Sequence, residues 1–277
     1  MKNIVVAILS LAIGFSISVF GIKFYLENDK DKVESNRKES IPKNIKASEM
    51  PDSIQESFES WTTYSKENID LMSTFKALDE NGEKIGKGIF LNLLRIGSYL
   101  PKKVEKVNEV YYQLIPLGKT TDEKIKKSIQ SLATMANHYF SMEGKKLPDY
   151  NFVDLQGVSY NKENTKGKVL VLKCWFITCK TCVEEFPQLN ELVDTYKDKN
   201  VVFVSLAFDE KDKLIEFLKT KTFKYATIPL QKDYMSKELK VKQYPTHLIV
   251  DSNGVILKMV NNVHTLTLEL DRIMNQS

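Results

Sequence analysis

The chain has 277 residues, of which 42% are hydrophobic and 27% charged, an ordinary balance for a globular protein with one large or two ordinary domains. Its net charge of +4 is mild, and its lysines are interspersed with acidic residues, so the sequence predicts no nucleic-acid partner. Three cysteines are too few for a disulfide scaffold.

An uncharged apolar run, residues 4–22, opens the chain after Lys2. A helix of about 20 apolar residues spans a bilayer, so the segment 1–26 predicts either an uncleaved anchor in the inner membrane or a secretory signal. No A-x-A cleavage site is evident, and apolar residues resume at positions 24–26, which favours the anchor. In both cases the rest of the chain is exported to the periplasm or cell envelope, and a cleaved, soluble protein is the second choice.

Two regions follow this segment. Residues 27–49 are rich in Lys, Glu, Asp, Asn and Ser and poor in large apolar side chains, so they predict a charged, flexible tether. Residues 50–146 predict an accessory α+β domain without a catalytic constellation. Partner recognition, spacing and dimerisation all remain open as its role.

Within the accessory region, three patterns indicate regular structure. The dipeptide Asn81-Gly82 stands between short alternating runs and indicates a hairpin. Residues 107–115 predict a strand. Thr121 and Asp122 are candidate caps for a helix whose apolar residues share one face.

The last region, residues 147–277, contains Cys179 and Cys182 between an apolar strand over 168–175 and a helical pattern. At the amino end of a helix, free backbone N–H groups and the helix dipole favour a thiolate, the reactive form in disulfide exchange. Structural zinc would need a second set of ligands, which Cys174 and three scattered histidines do not supply. A static disulfide is the other alternative. The pattern predicts a redox-active cysteine pair with no metal and no cofactor beyond its own disulfide.

The surrounding elements follow the order β-α-β-α-β-β-α, with an extra β element in front. The predicted segments are strands at 149–154, 168–175, 201–208, 246–250 and 255–260, helices from 182 and at 214–218 and 265–274, and a hairpin turn at 251–254. Pro187 predicts a kink in the helix that follows the cysteines.

This order resembles the thioredoxin fold, and the motifs are similar to those of exported thioredoxin-like proteins of the TlpA/ResA group. The matching segments are 147–157, 166–172, 175–182, 184–187 and the loop 244–246. The resemblance covers residues 147–277 and implies an α/β, thioredoxin-like fold with a central mixed sheet flanked by helices. The α+β region and the hydrophobic segment are additions to that fold.

The chain departs from the group's pattern at three places. Thr178 replaces a tryptophan before the first cysteine, the dipeptide Lys180-Thr181 lacks proline, and Lys173 stands where thioredoxin has a buried acid. These changes leave the direction of electron flow open and the cysteine pair intact.

The predicted catalytic residues are Cys179, Cys182 and Glu185. Cys179 is the expected nucleophile, and Cys182 is the thiol that resolves the mixed disulfide. Glu185 lies on the same helical face as Cys182 and is expected to accept its proton, unless it is a solvated helix residue. Lys173 is expected to pair with Glu185, because a buried unpaired ammonium is costly, unless it extends to the surface. Lys180 adds a charge that favours the Cys179 thiolate.

Further site residues come from the resemblance. Pro245 is expected after a cis peptide bond, where the backbone of Tyr244 meets an extended substrate segment. Trp175 is expected beside the active-site loop as a substrate-binding residue, or as plain core. Independently of the resemblance, Cys174 points to the opposite face of the strand from Lys173 and is expected to be a buried, inert thiol.

The predicted activity is that of an exported, membrane-tethered thiol–disulfide oxidoreductase acting on protein disulfides. The resemblance implies the reducing direction, a membrane thiol carrier as electron donor, and substrates such as apocytochromes c. One alternative is a peroxiredoxin-like peroxidase, although that chemistry needs Thr or Ser where Phe176 stands. The other is a copper carrier of this fold, in which His247 would join the cysteines; His247 is more simply a strand residue.

Overall fold

The computed structural model describes residues 52–106 and 109–275. The predicted anchor at 4–22 and the predicted tether at 27–49 lie outside the described residues. Within the described ranges, no helix has both the length and the apolar character that crossing a membrane requires.

The described part of the accessory region, 52–106 and 109–146, contains one four-stranded sheet and three α-helices. Its elements are a 3₁₀ turn Asp52–Gln55, α1 Phe58–Asn68, β1 Lys76–Leu78, β2 Lys84–Ile85, α2 Lys87–Ile96, β3 Tyr99–Lys106, β4 Glu109–Pro116 and α3 Glu123–Phe140. The strand order is β2-β1-β4-β3, with β1 antiparallel to β2 and parallel to β4. The hairpin predicted at Asn81-Gly82 is confirmed, because β1 and β2 pair across it. Asp122 caps α3 as predicted and accepts a hydrogen bond from the Lys124 amide at 2.8 Å.

The redox region contains the second sheet. Its elements are β5 Asn151–Val153, β6 Ser159–Asn161, β7 Val169–Trp175, α4 Lys180–Glu184, α5 Phe186–Tyr196, β8 Val201–Ala207, α6 Lys211–Leu218, β9 Ala226–Ile228, a π-helical turn Tyr234–Glu238, β10 Thr246–Val250, β11 Ile256–Val260 and α7 Val263–Met274. The strand order is β11-β10-β7-β8-β9, while β5 and β6 form a separate pair. Strand β7 is parallel to β8 and antiparallel to β10, so the expected mixed sheet with flanking helices is present.

The helix after the cysteines is divided in two. Helix α4 ends at Glu184, and α5 begins at Phe186 with Pro187 in its first turn. Proline is tolerated there because the first-turn amide needs no intrahelical acceptor. The predicted kink at Pro187 is therefore a break two residues earlier, at Glu185.

The accessory and redox regions belong to one compact unit and share a hydrophobic core. Helix α7 carries part of the polar contact between them: Glu269 accepts hydrogen bonds from the amide and hydroxyl of Thr74 at 2.5 and 2.9 Å. One turn earlier, Thr265 donates to Asp70 at 2.6 Å. The boundary between residues 146 and 147 stays a prediction, and these contacts fix the accessory sheet against the last helix.

Candidate redox site

The two cysteines of the motif form a disulfide at the carboxyl end of β7. Cys179 is the N-cap of α4, and its Sγ accepts a hydrogen bond from the Cys182 amide at 3.3 Å. Cys179 is 9% exposed, whereas Cys182 is fully buried. The outer sulfur therefore belongs to the cysteine that the sequence predicts as the nucleophile. Because α4 has only five residues, its dipole is smaller than that of the continuous helix the sequence predicts.

A buried charge cluster lies beneath this disulfide, and Glu185 is at its centre. Lys173 Nζ lies 2.7 Å from Glu185 Oε2, which confirms the predicted pairing. His247 Nε2 lies 3.1 Å from the same oxygen, and the Val263 amide donates to Glu185 Oε1 at 2.9 Å. Lys173 and His247 are completely buried, and Glu185 is nearly so.

The cluster keeps Glu185 ionised. Burial raises the pKa of its carboxyl, but the hydrogen bond from His247 and the hydrogen bond and charge of Lys173 more than offset burial and lower that pKa to about 2. Burial lowers the pKa of Lys173 against the attraction of Glu185, and burial together with Lys173 lowers the pKa of His247. At neutral pH Glu185 is therefore a stable anion and a weak proton acceptor.

Sheet register explains how the cluster assembles. Lys173 on β7 lies opposite His247 on β10 and opposite Ser205 on β8. Directly paired residues of neighbouring strands point to the same face, so these side chains form a polar row beneath the cysteine-bearing helices. The row continues to β9, where Ser205 Oγ lies 3.0 Å from Thr227 Oγ1.

Aromatic side chains form the wall behind the disulfide. Trp175 packs edge-on against Phe186 and Phe223, whose own rings stack with centroids 3.9 Å apart. Trp175 is completely buried in a cluster with both cysteines. It therefore supports the active-site loop from inside, and it presents no surface to a substrate.

The loop before β10 lies on the open side. The peptide bond between Tyr244 and Pro245 is cis, as predicted. The half-buried Tyr244 packs against Phe176 and Phe208, whose centroids lie 5.5 and 5.0 Å from its own. Phe176, Phe208 and Tyr244 thus form an aromatic cluster, the apolar ledge, next to Pro245.

The remaining predicted residues differ in exposure. The Lys180 side chain is 88% exposed, with its ammonium 3.7 Å from Glu184, so solvent screens its charge from the buried cluster. Cys174 is completely buried as predicted, and burial raises the pKa of its thiol. Over the ranges 52–106 and 109–275, no group of three or more His, Cys, Asp or Glu side chains is arranged to hold a metal ion.

His247 is the site residue whose contact the sequence did not reveal. The sequence places it correctly in a strand but does not bring it to Glu185. The available signal was an imidazole in a fully buried strand that is otherwise apolar except for Thr246, on the alternation face that register places beside Lys173.

The fold and the site together define a thioredoxin-like protein with a disulfide-forming cysteine pair at the strand–helix junction. The model of the AhpC/TSA family matches residues 144–259. The thiol-disulfide oxidoreductase ResA of Bacillus cereus is 30% identical over 138 residues, which are 48% of this chain and 80% of that protein. The thioredoxin-like protein YneN of Bacillus subtilis is 32% identical over 117 residues, 41% of this chain and 68% of the relative.

Among solved structures, a putative thiol:disulfide interchange protein DsbE from Chlorobium tepidum aligns with a TM-score of 0.43 and 24% identity, over 48% of this chain and 96% of that one. On the sequence relationships, the chain belongs to the ResA-like family of thioredoxin-fold thiol–disulfide oxidoreductases. It is an oxidoreductase that carries an accessory region in front of the family's domain.

Proposed function

We propose that this protein uses Cys179 and Cys182 to reduce or exchange disulfides in extracytoplasmic proteins. The observation that carries the proposal is the asymmetry of the pair: the outer sulfur caps α4, and the inner sulfur is buried above an ion-paired cluster. This arrangement suits a nucleophile that meets the substrate and a second thiol that displaces it.

The proposed cycle balances as follows. The Cys179 thiolate attacks a substrate disulfide, a mixed disulfide forms, and one substrate sulfur leaves as a thiolate. The Cys182 thiolate then attacks Cys179 Sγ, the bond to the substrate breaks, and the second substrate sulfur leaves with its electron pair. Two electrons have passed to the substrate, and a dithiol donor returns the protein to its reduced state.

Roles for the neighbouring residues follow from their positions. The backbone of Tyr244, next to Pro245, receives an extended substrate segment, and the ledge of Phe176 and Phe208 contacts its apolar side chains. Trp175 acts indirectly by supporting the loop. Lys173 sets the charge beneath the cysteines, and the solvated Lys180 makes a smaller contribution to the Cys179 thiolate.

The cellular setting is part of the proposal. Residues 4–22 anchor the chain in the inner membrane, 27–49 tether it, and the accessory domain 50–146 stands before the redox domain 147–277 in the periplasm or cell envelope. A membrane thiol carrier supplies electrons, and cytochrome c maturation is a process that needs such reduction. A fractionation experiment that recovers the full-length chain in the soluble fraction contradicts the anchor.

Two other functions receive less support. A peroxidase of the peroxiredoxin type needs a hydroxyl side chain three residues before the reactive cysteine, whereas Phe176 occupies that position and stacks on Phe208 at 5.1 Å. A copper carrier would join His247 to the cysteines, but in residues 52–106 and 109–275 no group of three or more His, Cys, Asp or Glu side chains is arranged to hold a metal ion.

The test is substrate trapping with Cys182→Ala. The variant is expected to form a stable mixed disulfide with a substrate protein that contains a disulfide, seen as a mass increase that a reductant reverses. The wild type is expected to turn over and to reduce insulin. Cys174→Ala is the matched control and is expected to form no adduct. The Cys174 thiol is buried and lies on the face of β7 opposite to Lys173. Absence of an adduct under conditions where the wild type turns over refutes the assigned roles.

A further inference from the structure

The imidazole of His247 has a contact pattern that the cycle above does not use. Its Nε2 lies 3.1 Å from Glu185 Oε2, and its buried Nδ1 has no hydrogen-bond partner among the residues the structure describes. Because a carboxylate only accepts, the hydrogen of a neutral imidazole sits on Nε2 and leaves Nδ1 as a bare lone pair. His247 is thus held by Glu185 in one tautomer, with one nitrogen free to take a proton.

The charges around His247 favour this neutral resting state. Glu185 faces it from the junction of α4 and α5, and Lys173 faces it from β7. With Lys173 already a cation on the same carboxylate, a resting imidazolium would leave the buried cluster with a net positive charge.

The other titratable groups on the elements packed against β10 have their own partners, lie on the other face of the sheet or are exposed. Cys174 and Tyr139 lie at Thr246, where the Tyr139 hydroxyl and Thr246 Oγ1 are 2.6 Å apart. On β11, Val260 lies opposite His247, and Lys258 is paired with Glu143. On α7, Glu269 binds Thr74, Asp271 binds Tyr196, and His264 is exposed.

The other two members of the cluster are poor proton acceptors. Glu185 already accepts from Lys173, His247 and the Val263 amide, and those contacts hold its pKa near 2. Lys173 as an ammonium has no lone pair to offer. The bare nitrogen of His247 is the remaining basic atom in the cluster.

Building on the proposed function, we propose that His247, and not Glu185, holds the proton that Cys182 gives up when it resolves the mixed disulfide. The Cys182 S–H bond breaks, its proton is taken up at Nδ1, and the thiolate attacks Cys179 Sγ. The substrate thiolate leaves, and the proton passes from His247 to that thiolate or to water. Glu185 remains an anion throughout and keeps its pairing with Lys173, while the charge of the transient imidazolium is balanced by the Cys182 thiolate formed in the same step.

The test separates the two cysteine steps in the reduced full-length protein. The disulfide substrate is dithiobis(nitrobenzoate), which carries two thionitrobenzoate groups. Release of the first thionitrobenzoate reports attack by Cys179, and release of the second reports resolution by Cys182. The variant is His247→Gln, whose amide keeps an N–H for Glu185 but does not titrate. The rate of the second release relative to the first is expected to fall about 100-fold near neutral pH, the range of general acid–base catalysis, and its pH dependence through the histidine range is expected to vanish.

His264→Gln is the matched control, because His264 is exposed on α7 and is expected to leave both releases unchanged. A His247→Gln protein with the wild-type ratio and pH profile overturns the inference. Wild-type protein that gives no first release refutes the proposed function instead, so the two failures are distinguishable.

A measurement on the unaltered protein covers the case in which His247→Gln does not fold. Nitrogen-15 NMR of the reduced wild-type chain is expected to show the Nε2–H tautomer of His247 with a bare Nδ1. Finding the hydrogen on Nδ1 overturns the inference.

Discussion

Replacing Glu185 with Gln is the perturbation with the most direct consequence for the buried cluster. A carboxyl whose pKa falls from 4.5 to about 2 on folding contributes about 3 kcal/mol to the free energy of unfolding at neutral pH, since each pKa unit is worth about 1.4 kcal/mol. Glu185→Gln removes that contribution and leaves Lys173 without its anion. We therefore expect a loss of about 3 kcal/mol at neutral pH.

The sign of the pH dependence follows from the direction of the shift. Because the folded pKa lies below the unfolded one, the contribution is complete above the unfolded value of 4.5 and disappears as the pH falls toward 2. At about pH 3 the difference between wild type and variant should shrink to about 1 kcal/mol.

The assay is urea unfolding of the oxidised protein, followed by tryptophan fluorescence at both pH values. Glu184→Gln is the matched control: it makes the same change one residue earlier, at an exposed carboxylate paired with Lys180, and should cost less than about 1 kcal/mol. If Glu185→Gln costs no more than Glu184→Gln, or the same at both pH values, the reasoning about the buried anion is refuted.

Three further predictions address other contacts. Lys173→Met leaves a buried carboxylate without its ammonium and should lower the free energy of unfolding by about 3 kcal/mol in urea; a loss below about 1 kcal/mol would contradict the importance of the pair. Gly97→Ala places a Cβ 2.7 Å from the Gln130 side chain at a backbone φ of +82°, so it should lower the melting temperature by several degrees, for a cost of about 1–2 kcal/mol, and an unchanged melting temperature would argue against this strain. Glu269→Gln weakens the acceptor of the Thr74 amide and hydroxyl, so hydrogen exchange of that amide should accelerate about tenfold or more; wild-type exchange would mean that the contact is dispensable.

The redox region was largely predictable because its signals are local. The apolar run of β7, the spacing of the cysteines and the turn before β11 each identify an element without knowledge of the rest of the chain. The ion pair of Lys173 and Glu185 was also predictable, since a lysine inside an apolar strand requires a partner.

The accessory region was less predictable for equally physical reasons. Strand β3 contains Pro101 and several lysines, which hide its alternation, and the hairpin pairing with β4 reveals it only in the folded chain. Helix α2 buries Phe90 and Leu94 but exposes Ile96, so its apolar stripe is blurred.

His247 shows the limit that long-range register sets. Its approach to Glu185, 62 positions away in sequence, depends on β10 pairing with β7 in one register, and a shift by one residue would turn the imidazole to the other face. No local pattern contains that information.

Helix α7 contacts both the redox centre and the accessory region. Its first amide, at Val263, donates to the Glu185 carboxylate, and Glu269, about two turns later, accepts from Thr74. The thioredoxin-like region is therefore not structurally independent of the accessory region. A protein truncated before residue 147 would lack the contacts of Glu269 with Thr74. The reduction potential measured on such a fragment would therefore not represent that of the full chain.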